Sequence, residues 1–234
     1  MKIPTGSGKI DSILEGGLSS GDVMLVYGDP KTGKTTFAIQ CAVNCAKKGL
    51  KVLFVDCDNS FSVRRLAQIG AESCDRVIEQ IVLMRPKDFV EQAKAIDHLS
   101  DYVTSNFGLI VFDTVSTLYR LRVAESPNKT FDLNRELSRQ TALVAQVAKT
   151  RKISVLMTSQ VRSAFSEGYS SIEPVATRVL KFWGDTIIAM HPTAENSGFV
   201  NVELEKIPRS ERVFRSLSFL VKIEESGIRD YTSE

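Results

Sequence analysis

Histidine is nearly missing from this chain, with two in 234 residues, and cysteine occurs four times. Cys41 and Cys45 lie one turn apart on an apolar stretch that reads as a helix, while Cys57 and Cys74 stand apart. No Cys-x-x-Cys pair and no histidine cluster accompanies them. A protein-built metal site is therefore not expected, and all four read as reduced thiols in or near the core. Long apolar runs are lacking too. Stretches such as 109–112 fall far short of the roughly 20 residues that a membrane-spanning helix needs. The polar opening MKIPTGSGKI holds no signal-peptide core. A soluble, cytoplasmic protein with no membrane partner is the expectation. Internal repeats, low-complexity tracts and interdomain linkers are also lacking, which leaves one domain over 1–234 as the simplest organisation.

Net charge is only +2, from 30 basic and 28 acidic residues, but its distribution is uneven. Residues 118–181 carry 11 Lys and Arg against 5 Asp and Glu, a local +6 that leaves −4 for the remainder. Such a stretch forms either a surface for a phosphate backbone or an ordinary solvated face. With 43% hydrophobic and 25% charged residues, the chain is expected to fold rather than stay disordered.

Strand-like and helix-like runs alternate. Residues 22–27, 51–57, 109–115 and 154–159 are apolar on both faces, as buried parallel strands are. Residues 37–46, 88–104 and 137–149 have helical patterning, with Phe89, Ala93, Ile96 and Val103 marking one inner face. Strands separated by helices give an α/β fold with a mostly parallel sheet covered on both faces. After about residue 185 the pattern changes. Residues 186–190, 199–205 and 216–222 read as strands with little helix between them, extending one sheet edge in part antiparallel.

The first strand runs into Gly28-Asp29-Pro30-Lys31-Thr32-Gly33-Lys34-Thr35, a match to G-x-x-x-x-G-K-S/T, followed by Thr36 and a helix. Gly28 and Gly33 permit backbone angles that turn successive N–H groups inward. The helix start adds unsatisfied N–H groups and the positive end of its dipole. Lys34 supplies a point charge for β- and γ-phosphates, and the Thr35 hydroxyl is placed for Mg²⁺. This is a phosphate cradle for ATP. Three further strands end in polar residues. Asp113 closes 109–113 and is a candidate for the Mg²⁺ shell. Asp58, with Asp56 as runner-up, follows 52–55 and could orient or deprotonate an attacking water. Gln160 follows 154–159 and could bond the γ-phosphate or its water.

In this order the residues resemble the RecA superfamily, most closely its short archaeal RadB branch, over nearly the whole chain. Pro4-Thr5-Gly6-Ser7, Ile10-Asp11 and Gly16-Gly17-Leu18 are similar to that family's opening. Thr117-Leu118-Tyr119-Arg120 is similar to its "LYR", and Arg135-Glu136-Leu137-Ser138-Arg139-Gln140 to its "ELSxRQ". Thr158-Ser159-Gln160-Val161 resembles its "TNQV". Glu205-Lys206 and Glu225-Ser226-Gly227-Ile228 resemble the RadB close. The resemblance implies a RecA-like P-loop NTPase core with an antiparallel C-terminal extension. It implies a Gln160 that senses ATP and couples it to a DNA-binding loop over 161–178, and an Arg65 stacked on adenine. Arg120, Arg122, Lys129 and Arg135 would flank a first DNA loop. Arg162 would open a second, where Phe165 and Tyr169 could stack on bases.

Three departures matter. Asp58 stands where the family has a catalytic Glu, one methylene longer; a misplacement of about 1 Å can cost about 100-fold in rate, so slow hydrolysis is expected. The helical N-terminal DNA-binding domain and its Phe-x-x-Ala subunit-linking motif are not seen in this sequence. Robust filaments are therefore not expected, although the resemblance allows a homo-oligomer. The loop after Gln160 is short, which argues against unaided strand exchange. The expectation is an ATP-binding, weakly hydrolysing accessory protein of recombination and DNA repair. It would bind single-stranded DNA without sequence preference and assist the main recombinase. The other class in view is a KaiC-like regulatory ATPase acting through protein contacts; its usual Glu-Glu pair is here Asp56-Cys57-Asp58.

Overall fold

The computed structural model describes residues 1–166, 169–174, 176–193, 198–208 and 216–231. The chain begins with a short antiparallel pair, β1 (Lys2–Ile3) and β2 (Leu18–Ser19), with α1 (Gly8–Ile13) between them. There follow β3 (Val23–Gly28), α2 (Lys34–Lys47), β4 (Lys51–Asp56), α3 (Val63–Gly70), α4 (Cys74–Glu79) and β5 (Ile81–Met84). Next come α5 (Phe89–Asp97), α6 (Leu99–Tyr102), β6 (Phe107–Asp113), α7 (Thr117–Glu125), α8 (Thr130–Arg151) and β7 (Ser154–Ser159). An antiparallel pair, β8 (Val161–Ser166) and β9 (Tyr169–Pro174), precedes α9 (Thr177–Trp183). The chain then runs through β10 (Thr186–Pro192), β11 (Phe199–Lys206), β12 (Leu217–Glu224) and β13 (Gly227–Asp230).

Nine strands form one sheet in the order β13-β12-β11-β10-β3-β7-β6-β4-β5. The six from β10 to β5 are parallel, and β11, β12 and β13 add antiparallel to the β10 edge. Side chains alternate between two cores. Met24 and Val26 of β3 face the core shared with α2, whereas Val23, Leu25 and Tyr27 face the one shared with α5, α7 and α8. Helix α2 is buried along most of its circumference. Its Ala38, Cys41, Ala42, Cys45 and Ala46 are small enough to bring it close to the sheet. The N-terminal ends of α1, α3 and α5 are capped by Ser7, Ser62 and Asp88, whose side chains accept from backbone N–H groups two to three residues on.

The mostly parallel sheet with helices on both faces and an antiparallel C-terminal edge follows the sequence pattern. The single helix expected over 88–104 is two, because the backbone turns at His98 so that Leu99 and Val103 reach the core. The segment after Gln160 pairs as β8–β9 rather than staying a loop. Cys41, Cys45 and Cys57 are buried and Cys74 half-buried, all four as free thiols; burial pushes the Cys45 thiol up to about 12. Among the described residues, no helix is long and apolar enough to cross a membrane.

Candidate functional site

Because β3, β4, β6 and β7 are parallel neighbours, their C-terminal ends share one edge of the sheet. Gly28, Asp56, Asp113 and Ser159 close those strands. A cleft of about 620 Å³ opens there. Gly28, Pro30, Lys31, Gly33, Lys34, Thr35 and Thr36 line it, with Asp58, Thr114, Arg120, Gln160, Val161 and Ile223. Asp29 and Thr32 brace the loop instead. The Asp29 carbonyl accepts from the Thr32 hydroxyl at 2.8 Å and from Lys34 Nζ at 2.7 Å. Two glycines are required by geometry. A Cβ at Gly28 would lie 2.1 Å from the Met190 carbonyl oxygen, and Gly33 has φ +87° with Ile223 Cδ1 2.7 Å from where its Cβ would be.

The buried carboxylates form a braced group. Asp113 is fully buried; Oδ1 accepts from the Thr158 hydroxyl at 2.5 Å and Oδ2 from the Ser60 hydroxyl at 3.0 Å. Ser60 Oγ also stands 3.4 Å from Thr35 Oγ1, so the α2 hydroxyl and the β6 carboxylate are bridged by one side chain. Asp56, the runner-up candidate, is committed elsewhere. It accepts from Ser60 N at 2.9 Å, Phe61 N at 3.3 Å and Arg85 Nε at 3.0 Å. Its work is to fold the turn that carries Asp58 and Ser60. Asp58 is half-buried, and its Oδ1 has no hydrogen-bond partner among the described residues.

Electrostatics say what this cleft would accept. Burial holds the Lys34 ammonium below its ordinary value, against the opposing pull of Asp113, Asp29 and Asp58. Burial raises both Asp113 and Asp58 from their ordinary value. An anion at Lys34 and a cation at the carboxylates would each reverse the strain, since opposite charge favours the ionised form. The hard oxygens of Thr35, Ser60, Asp113 and Asp58 suit Mg²⁺, and the helix start beside Lys34 suits phosphate. The residues therefore fit a Mg²⁺–nucleotide pair.

Gln160 sits at the cleft with its side chain engaged. Nε2 donates to Thr117 Oγ1 at 3.1 Å, Oε1 accepts from the Arg120 guanidinium, and its backbone N–H donates to Ser116 Oγ at 3.1 Å. Arg65 does not line the cleft. Its guanidinium donates to the carbonyls of Glu224 at 2.5 Å and Glu225 at 3.1 Å, beside Ile223, which does. Of the expected DNA-contacting residues, Arg120 lines the cleft, Arg122 pairs with Glu125 at 3.0 Å and Arg135 is exposed on α8. The stretch from Arg120 to Arg135 is mainly helical, α7 into α8, rather than a loop. The side chains of Arg162, Phe165 and Tyr169 lie outside the described residues. Sequence reasoning missed Thr114 and Ile223 in the cleft wall and Ser60 between Thr35 and Asp113. Only Ser60 had a local signal, as a hydroxyl in the polar turn that follows the strand-end Asp56. Ile223 arrives from the far end of the chain.

A family model described as Rad51 matches residues 1–227. The chain is 30% identical over 231 residues to the "DNA repair and recombination protein RadB" of Methanobrevibacter smithii, covering 97% of this chain and 95% of that one. It is 32% identical over 181 residues to the protein of that name from Methanocaldococcus jannaschii, covering 77% and 83%. A solved structure titled "Crystal structure of the RadB recombinase" superposes with a TM-score of 0.80 at 31% identity, over 98% of this chain and 100% of that one.

Proposed function

The chain belongs to the Rad51 family, and from that premise we propose that it is a RadB-like accessory ATPase of DNA repair and recombination. It binds ATP with Mg²⁺, hydrolyses it slowly, binds single-stranded DNA without sequence preference and assists the main recombinase. The observation that carries this reading is convergence. Lys34 with Thr35, Asp58, and Gln160 come from three separate strand–turn units and line one cleft, with Asp113 bridged to Thr35 through Ser60.

In this reading the loop amides before α2 and the Lys34 ammonium hold the phosphates. Lys34 exchanges its contact with the Asp29 carbonyl for phosphate oxygen. The Thr35 hydroxyl and the Asp113 carboxylate would hold Mg²⁺, which would supply positive charge against that of the phosphates. Asp58 Oδ1 accepts a proton from, or orients, the attacking water; its reach is one methylene shorter than a Glu, so turnover is slow. Gln160 meets the terminal phosphate and passes its state to β8, which begins at the next residue. DNA binding is drawn from the names of the relatives and from exposed Lys129 and Arg135, with half-exposed Arg122, on α7, α8 and the turn between them.

Single-stranded DNA binding measured by fluorescence anisotropy tests the reading. It would be run at low and moderate salt, with ADP, ATP or no nucleotide, for wild type and Lys34→Ala. Binding that weakens with salt, and responds to ATP in wild type only, is the expected result. No binding under any condition would sink the recombination reading and leave an ATPase that acts through proteins.

A further inference from the structure

Arg120 follows the sequence pattern of a DNA-contacting residue, yet it stands in the cleft wall with Lys34, Thr35, Asp58 and Gln160. The helix that bears it explains the placement. On α7, residues two apart point about 200° apart. Arg122 accordingly points elsewhere and pairs with Glu125, while Arg120 reaches the strand-end edge. There its guanidinium donates to Gln160 Oε1. Gln160 Nε2 donates to Thr117 Oγ1 at 3.1 Å, and Thr117 Oγ1 lies 2.6 Å from the hydroxyl of Thr114, the residue after Asp113. The guanidinium is thus the outer end of a hydrogen-bonded row that begins beside the buried carboxylate.

Its present acceptor is a neutral amide oxygen. A terminal phosphate would offer a charged, forked acceptor, which a guanidinium bonds more strongly. Resting on the nucleotide reading of this cleft, we propose that Arg120 distinguishes a nucleoside triphosphate from a diphosphate, acting from within the same chain. With a triphosphate bound, Arg120 leaves Gln160 Oε1 for the γ-phosphate, and the Gln160 amide is freed to turn toward the same group. A diphosphate is one phosphate shorter and leaves Arg120 on Gln160. Arg120 is then a specificity-determining residue, and Gln160 changes partner only when the third phosphate is present.

Isothermal titration calorimetry on the full chain tests this, with Mg²⁺–ATPγS and Mg²⁺–ADP titrated into wild type, Arg120→Ala, Arg120→Lys and Arg151→Ala. Arg120→Ala is expected to weaken ATPγS binding about 10- to 100-fold, the range for a lost hydrogen bond to a charged group, and to leave ADP within about twofold. The retained ADP affinity shows that the variant is folded. Arg120→Lys should fall between, because an ammonium keeps the charge without the fork. Arg151→Ala, one positive charge fewer at the far end of α8, should change neither. Equal changes for both nucleotides, or no change, overturn the proposal. So does an intact triphosphate preference in Arg120→Ala accompanied by a loss of single-stranded DNA affinity in the anisotropy assay, which would return Arg120 to the DNA surface. If wild type binds neither nucleotide, the reading of the cleft fails and this inference goes with it. If wild type binds both and Arg120→Ala keeps their ratio, this inference alone fails.

Discussion

The strand-end cleft and the flank formed by α7 and α8 hold their charges in opposite ways. In the cleft, Asp113 is fully buried and Asp56 is 1% exposed. Asp113 accepts from Thr158 and Ser60, both distant in sequence, and Asp56 accepts from distant Arg85 and from the backbone of the turn that follows it, at Ser60 and Phe61. On the flank, Arg122 and Glu125 form a local pair whose side chains are 43% and 64% exposed, and Lys129 and Arg135 are exposed. A buried network fixes geometry and is costly to leave half-satisfied, whereas an exposed pair contributes about 0–1 kcal/mol and leaves its side chains free to move. The first arrangement suits chemistry at fixed atoms. The second suits sequence-independent attraction to a charged polymer.

The sharpest way to break that comparison is Lys34→Ala. Removing the one buried ammonium among the cleft's lining residues should cost at least about 100-fold in Mg²⁺–ATP affinity by calorimetry; a change under about threefold would mean that the cleft does not hold phosphate. Next is Asp58→Glu, which restores the longer carboxylate. Steady-state turnover should rise about 10- to 100-fold, and an unchanged rate would show that reach at this position does not limit hydrolysis. Ser60→Ala sharpens the picture of the buried network. The Mg²⁺ concentration for half-maximal ATP binding should rise about tenfold while binding in EDTA stays put, and Ser60→Thr should restore it; equal losses with and without Mg²⁺ would make Ser60 merely structural. The smallest effect belongs to the flank. Arg135→Ala should weaken single-stranded DNA binding by about threefold and lower the salt slope by about 1. A loss of 100-fold would mean that the flank is a built site after all.

Legibility followed the same division. The strand–turn–helix that carries Gly28 to Thr35 could be read from the sequence because its parts lie within one strand, one turn and one helix start. The parallel sheet was readable because strands apolar on both faces have few other homes. The splitting of the 88–104 helix and the pairing of β8 with β9 were not readable, since both turn on local backbone choices that tertiary packing decides. The contact that Arg120 makes with Gln160 was not readable either. Its neighbours in sequence place it with basic surface residues, and only the rotation of α7 over the sheet edge turns it toward Gln160.

What the sequence determined by itself was therefore the glycine-bounded turn between β3 and α2, the alternation that builds a covered parallel sheet, and the carboxylates that end two of its strands. Local backbone physics and hydrophobic periodicity suffice for those. Only the tertiary structure decided which hydroxyl bridges Thr35 and Asp113, that Asp56 is spent on the turn while one oxygen of Asp58 is left without a partner, and that Ile223 closes the cleft from the far end of the chain. Apart from the local turn at Asp56, those are contacts between residues tens to nearly two hundred positions apart, and sheet order and helix rotation, which set them, are fixed by packing the whole core at once.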